Sequence, residues 1–142
     1  VFTGDTFGVS YREFDTAAGE FIFPTTSPTQ FDPAQLRASI ETIRRLRPKT
    51  VHLTHYGAVE HVARAADDLQ ADIEAFVRIA RQLAAAPDRR NQIAAALFEH
   101  LSGRLDAHGA ATDLDVRHRV LDADIELNAA GLDAWLLRAG RT

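Results

Sequence analysis

Two short stretches carry side chains that could act together. In Thr3-Gly4-Asp5-Thr6 a carboxylate follows a strand-like run and a glycine, and in Leu53-Thr54-His55-Tyr56-Gly57 an imidazole stands in the same relation to the run Thr50–Thr54. Taken alone, an Asp after Gly is ordinary turn chemistry, and a His after a strand is as readily structural. Delivered together into the crevice beyond two strand ends, where side chains are both fixed and accessible, they are a stronger signal of a ligand site than either alone. The chain has no Cys, so any metal must be held by His and carboxylate, a donor set that admits zinc, iron or manganese.

The other candidates carry blander readings. His52 lies three residues before His55, and strand alternation sends the two to opposite faces, so His52 is expected to be buried or to sit behind a ligand. His61 reads as a helix-surface residue, His100 and His108 have no carboxylate cluster at ligand spacing around them, and His118, in the charged run Asp115–Arg119, reads as part of a solvated helix face. Asp67, Asp68 and Asp72 share a helix with Arg64, Arg78 and Arg81, which suggests surface pairing. Tyr11, Phe14, Phe21 and Phe23 could line a substrate pocket beside Asp5 or simply cover a sheet edge; Tyr56, next to the candidate ligand, could offer its hydroxyl to substrate.

These residues need elements to hold them. Val1–Gly4 and Thr50–Thr54 read as strands. Asp32-Pro33 starts a helix running to about Arg47, with Leu36, Ile40, Ile43 and Leu46 on one face and Pro48 beyond its end. From Ala58 the pattern is helical: Val62, Ala66, Leu69, Ile73, Phe76, Ala80 and Leu83 form one apolar seam closed by Pro87. Ile93, Leu97, Leu101 and Leu105 mark a second helix over about 88–107, stopped at His108-Gly109. A third begins near Asp113, is interrupted at Gly131, and resumes through Trp135.

The 142 residues suffice for about one domain with a core. A net charge of −4, with both signs mixed throughout, offers no basic stripe for nucleic acid. No apolar run approaches the roughly 20 residues of a membrane span and no leader is recognisable, so a soluble, cytoplasmic protein is expected. There is no Met, and Val1-Phe2-Thr3 reads like the inside of a strand, which suggests that sequence is missing upstream.

Val1-Phe2-Thr3-Gly4-Asp5-Thr6-Phe7-Gly8 and, fifty residues on, Leu53-Thr54-His55-Tyr56-Gly57 resemble the last two metal-ligand segments of metallo-β-lactamase-fold hydrolases, and Asp124–Leu132 resembles the helical tail of one bacterial branch. The resemblance implies an α+β fold: residues 1–57 as the C-terminal half of an αββα sandwich, and 58–142 as an all-α extension. It implies that Asp5 bridges two metal ions and that His55 binds the second. Water activated between them would attack a small-molecule ester, thioester, lactam or phosphodiester. The family's His-x-His-x-Asp-His segment has no counterpart here, so the remaining ligands are expected from an N-terminal half outside this chain, leaving residues 1–142 inert by themselves. A different reading makes the helices a module for homo-oligomerisation or partner binding, through an exposed apolar seam.

Overall fold

The computed structural model describes residues 1–55 and 57–140. Most of the chain is in four helices: α1 Pro33–Arg45, α2 Val62–Gln82, α3 Arg89–His108 and α4 Leu114–Ala139. Their ends follow from local chemistry. The Asp32 carboxylate accepts the Gln35 N–H at 3.0 Å with Pro33 in the first turn, and Asp113 accepts the Val116 N–H at 2.9 Å. At the end of α3, Gly109 takes a left-handed conformation that lets Ala110 donate back to the Leu105 carbonyl.

The expected half of an αββα sandwich is not what forms. The described residues contain one two-stranded antiparallel sheet, β1 Val51–His52 with β2 Ala58–Val59, joined through the His55 loop, so the helical run starts only at Val62. Residues 1–3 run parallel to β1 but pair with it over a single bridge, Phe2 with His52. The physical reason lies just downstream: Gly4–Phe7 and Arg12–Phe14 curl into 3-10 turns, which ends any extended pairing after two or three residues.

The aromatic run Phe21–Phe23, expected to line a pocket or cover a sheet edge, serves instead as a plug between the helices. Residues 21–23 are extended and buried on both sides: Phe21 and Phe23 point among Phe76, Leu97, Leu101, Leu121 and Ile125 of α2–α4, while Ile22 points to Phe7, Ile40, Val51, Val59 and Leu69. Phe23 and Val9 exchange backbone hydrogen bonds at 2.9 and 3.1 Å, which satisfies polar groups that burial would otherwise strand. Each such Phe contributes about 2–3 kcal/mol through burial. Gly8 allows the chain to pass here: its φ is +76°, and a Cβ would sit 2.4 Å from the Phe23 carbonyl oxygen.

The seam of α2 faces inward. Ala66, Leu69, Ile73, Phe76 and Ala80 are at most 1% exposed, covered by α1, α3, α4 and the Phe plug. Helix α4 is continuous through Gly131, which is buried against Thr26 rather than marking a break. No helix among the described residues is long and apolar enough to cross a membrane.

One loop-to-helix joint is set by charge. Glu20, whose side chain is 12% exposed, accepts the Glu60 N–H at 2.9 Å, meets the His61 ring at 2.8 Å and reaches Arg64. Burial alone would push its carboxyl up. The N–H groups of Glu60 and of Glu20 itself, together with His61, outweigh that and hold it at about 2, below the ordinary 4.5. A depressed folded-state pKa gives stability that is present above pH 4.5 and is lost as pH falls toward 2. Glu20→Gln is therefore expected to cost about 1–2 kcal/mol at pH 7 after solvent screening. It should also flatten the acid limb of a urea-monitored stability curve between those pH values.

Candidate metal and substrate site

The segment carrying Asp5 is laid beside the segment carrying His55 by backbone pairing. His52 donates its N–H to the Val1 carbonyl at 2.7 Å, and Thr3 donates to the His52 carbonyl at 3.2 Å. Because the two run in the same direction, both leave the pairing at the same end. Asp5 sits on the 3-10 turn Gly4–Phe7, anchored by the fully buried Phe7, and His55 sits on the hairpin loop closed by the Leu53 N–H on the Gly57 carbonyl at 3.0 Å.

The two side chains meet. His55 Nε2 lies 3.8 Å from Asp5 Oδ1, and the side chains are 59% and 66% exposed. That is too long for a hydrogen bond, and an ion pair this exposed stabilises by well under about 1 kcal/mol. It suits a shared cation better: donors at about 2.1 Å around a tetrahedral ion stand roughly 3.4 Å apart, a small adjustment for two exposed side chains. The donor chemistry therefore fits a divalent metal. Among the described residues no group of three or more His, Asp or Glu side chains is arranged around one ion, so these two do not make a closed site.

Asp124 of α4 joins this neighbourhood. The Tyr11 hydroxyl donates a short hydrogen bond to its carboxylate. Burial raises the Asp124 pKa above the ordinary 3.8, while the Tyr11 bond and the charge of nearby His55 act the other way. A signal was present: Leu121, Asp124, Ile125, Asn128 and Leu132 fall at helical spacing on one face, and a carboxylate on an apolar face demands a partner.

The remaining candidates fall elsewhere. Phe14 is fully buried in the core and cannot touch a substrate; Tyr11 is partly buried, stacked on Phe23 with centroids 6.2 Å apart. The reading of Tyr56 lies outside the described residues. His52 is exposed rather than buried, and stacks on the 86%-exposed Phe2 ring. His118 pairs with Asp122 at 2.9 Å on an exposed helix face. Asp68 and Asp72 do not pair with Arg64, Arg78 or Arg81. Their partner is Arg104 of α3, and Asp72, 1% exposed, also meets His100 at 2.8 Å.

Beside Asp5 opens a cleft of about 420 Å³ between the 25–31 segment, the exposed side of α1 and Leu127 of α4. Its far wall is pinned to α4. Asn128 accepts the Thr26 N–H at 2.8 Å and donates to the Pro24 carbonyl at 3.1 Å, and Arg138 donates to the carbonyls of Pro28 and Phe31.

Comparison with known proteins returned no matching family model, curated protein or solved structure.

Proposed function

We propose that Asp5 and His55 are two ligands of a divalent-metal centre in a hydrolase related to the metallo-β-lactamase family, with the other ligands supplied from outside residues 1–142. The observation that supports this is the parallel backbone pairing that carries a carboxylate and an imidazole, fifty residues apart in sequence, to 3.8 Å from one another at the edge of a cleft. Zinc suits the donors best, with iron and manganese as alternatives, and the resemblance implies two ions. When bound, such a centre supplies Lewis acidity and a water acidified to near neutral pH for attack on a carbonyl or phosphoryl carbon or phosphorus.

The protein's own groups have definable parts in this. Asp5 has two oxygens that can neutralise neighbouring cations, and its 3-10 turn holds them clear of the sheet. His55 offers a neutral ring nitrogen. Asp124 holds the Tyr11 hydroxyl in one orientation beside this pair.

The test is a zinc titration of the isotope-labelled 142-residue chain, followed by imidazole nuclear magnetic resonance signals. His55 should shift while His52 and His118 stay in place, binding should be weak because two ligands do not close a site, and the chain alone should turn over no ester or phosphodiester. Asp5→Asn and His55→Ala should each lower zinc affinity at least about tenfold. Zinc that perturbs other histidines and ignores His55, or an unaltered affinity in both variants, would sink the reading.

A further inference from the structure

Steps of three and four bring Glu74, Val77, Arg78 and Arg81 to one face of α2. There they meet Pro33, Ala34 and Arg37 of α1 and Trp135 of α4 around a hollow of about 550 Å³, within the range of small-molecule sites. It is separate from the cleft beside Asp5, which uses Gln35, Leu36 and Ser39 on the other side of α1. Ile73, Val77 and Trp135 make its apolar wall, and its charged groups are Arg37, Arg78 and Arg81 against a single carboxylate, Glu74.

None of the three guanidiniums holds a carboxylate among the described residues. Arg37 Nε donates to the Gln70 amide oxygen at 3.0 Å, Arg81 lies 5.6 Å over the Trp135 ring, and the Arg78 guanidinium makes no hydrogen bond or ion pair. Glu74 forms no ion pair either, so even with its charge counted in full the hollow keeps a surplus of two positive charges, in a chain of net charge −4. Other acids nearby do not alter this. Asp133, two residues from Trp135, is taken by Arg89 at 2.6 Å, and Asp32 shares a neighbouring hollow with Arg138, one charge of each sign. Guanidiniums that converge without a counter-charge repel one another, and a bound dianion relieves that repulsion.

The guanidinium fork matches two oxygens of a phosphate, and a phosphate monoester carries close to two negative charges at neutral pH. We propose that this hollow binds a small phosphate monoester with a flat apolar body, its phosphate among Arg37, Arg78 and Arg81 and its body against Val77 and Trp135. The site shares no residue with the Asp5–His55 pair, so it stands or falls independently of the metal-centre reading.

Trp135 is the one tryptophan of the chain, and its indole N–H therefore gives a single signal in ¹⁵N-labelled protein. Phenyl phosphate should shift that signal together with the amides of Ala34 and Val77. Inorganic phosphate, which lacks the body, and phenol, which lacks the charge, should each bind at least about tenfold more weakly. Replacing both Arg78→Gln and Arg81→Gln should weaken phenyl phosphate about tenfold, and Glu74→Gln should strengthen it about threefold. All three positions are exposed, and a gain of affinity in Glu74→Gln is not a result that misfolding can produce. The proposal is overturned by an indole signal that phenyl phosphate leaves in place, by phenol or inorganic phosphate binding as tightly as phenyl phosphate, or by an affinity unmoved in either the double variant or Glu74→Gln. Shifts confined to Gln30 and Gln35 would overturn it as well, since they would put the ligand in the neighbouring hollow beside Arg138.

Discussion

Asp72→Ala should destabilise the protein by about 3 kcal/mol, the cost of leaving a partly buried cation with only the longer, more exposed contact to Asp68 at 3.5 Å. Asp72 is 1% exposed on α2 and receives a short hydrogen bond from Arg104 and a contact from His100 at 2.8 Å, both on α3. Arg104 also donates to the Ile22 carbonyl at 2.9 Å and lies 4.5 Å over the Phe21 ring. One carboxylate thus ties two helices to the Phe plug. For a domain of this size the loss corresponds to roughly 10 °C in midpoint temperature, measurable by calorimetry and urea unfolding. Asp72→Asn, which keeps the shape and can still accept a bond, should cost about half as much. A loss under about 1 kcal/mol for the alanine variant would mean that the cation finds solvent easily, and that the cluster is a surface pair in all but position.

Gly131→Val is expected to cost at least about 3 kcal/mol, and Gly131→Ala about 1–3 kcal/mol, although alanine normally stabilises a helix interior by about 1 kcal/mol over glycine. Packing decides the sign. A Cβ at this position would lie 2.3 Å from the Thr26 hydroxyl and 2.8 Å from the Thr26 carbonyl oxygen, and the latter is backbone that cannot rotate away. Moving Thr26 would strain its bonds to Asn128, which are buried. Chemical denaturation reads the stability, and the Thr25–Ser27 amide signals should shift in Gly131→Ala if it folds. An alanine variant more stable than the parent would show that the 24–28 segment yields freely, which would also mean that α4 does not pin the cleft wall.

The helices were legible because their information is local: apolar spacing, Asp caps and Pro or Gly stops fix them within a few residues. The extended parts were not. Phe21–Phe23 and Val1–Thr3 have the composition of strands, but whether a strand finds partners depends on residues far away, and here 3-10 turns and helices took that space. Gly131 shows the same limit, since a glycine needed for close approach reads like one that breaks a helix. At the site, Asp5 and His55 were recognisable as a pair through resemblance, while Asp124, Asn128 and Asp72 could have been marked as polar groups on apolar helix faces. Phe14 shows the limit at the site too, since an aromatic near a candidate ligand looks the same in sequence whether it lines a pocket or, as here, is buried in the core.

The parallel pairing of residues 1–3 with β1 also sets how durable the Asp5–His55 arrangement is. The two backbone hydrogen bonds of a single bridge, bonds from the Val1 amino group to the Thr50 carbonyl and from the Thr3 hydroxyl to the His52 carbonyl, and an exposed Phe2 ring resting on His52 hold it, whereas Phe7 is locked in the core. This pairing is therefore weaker than the packing of the core, and the Thr3 amide should exchange with solvent sooner than that of Val9 or Phe23. A cation shared by Asp5 and His55 would strengthen this pairing, so metal affinity and the slowing of exchange at Thr3 are two measures of one equilibrium.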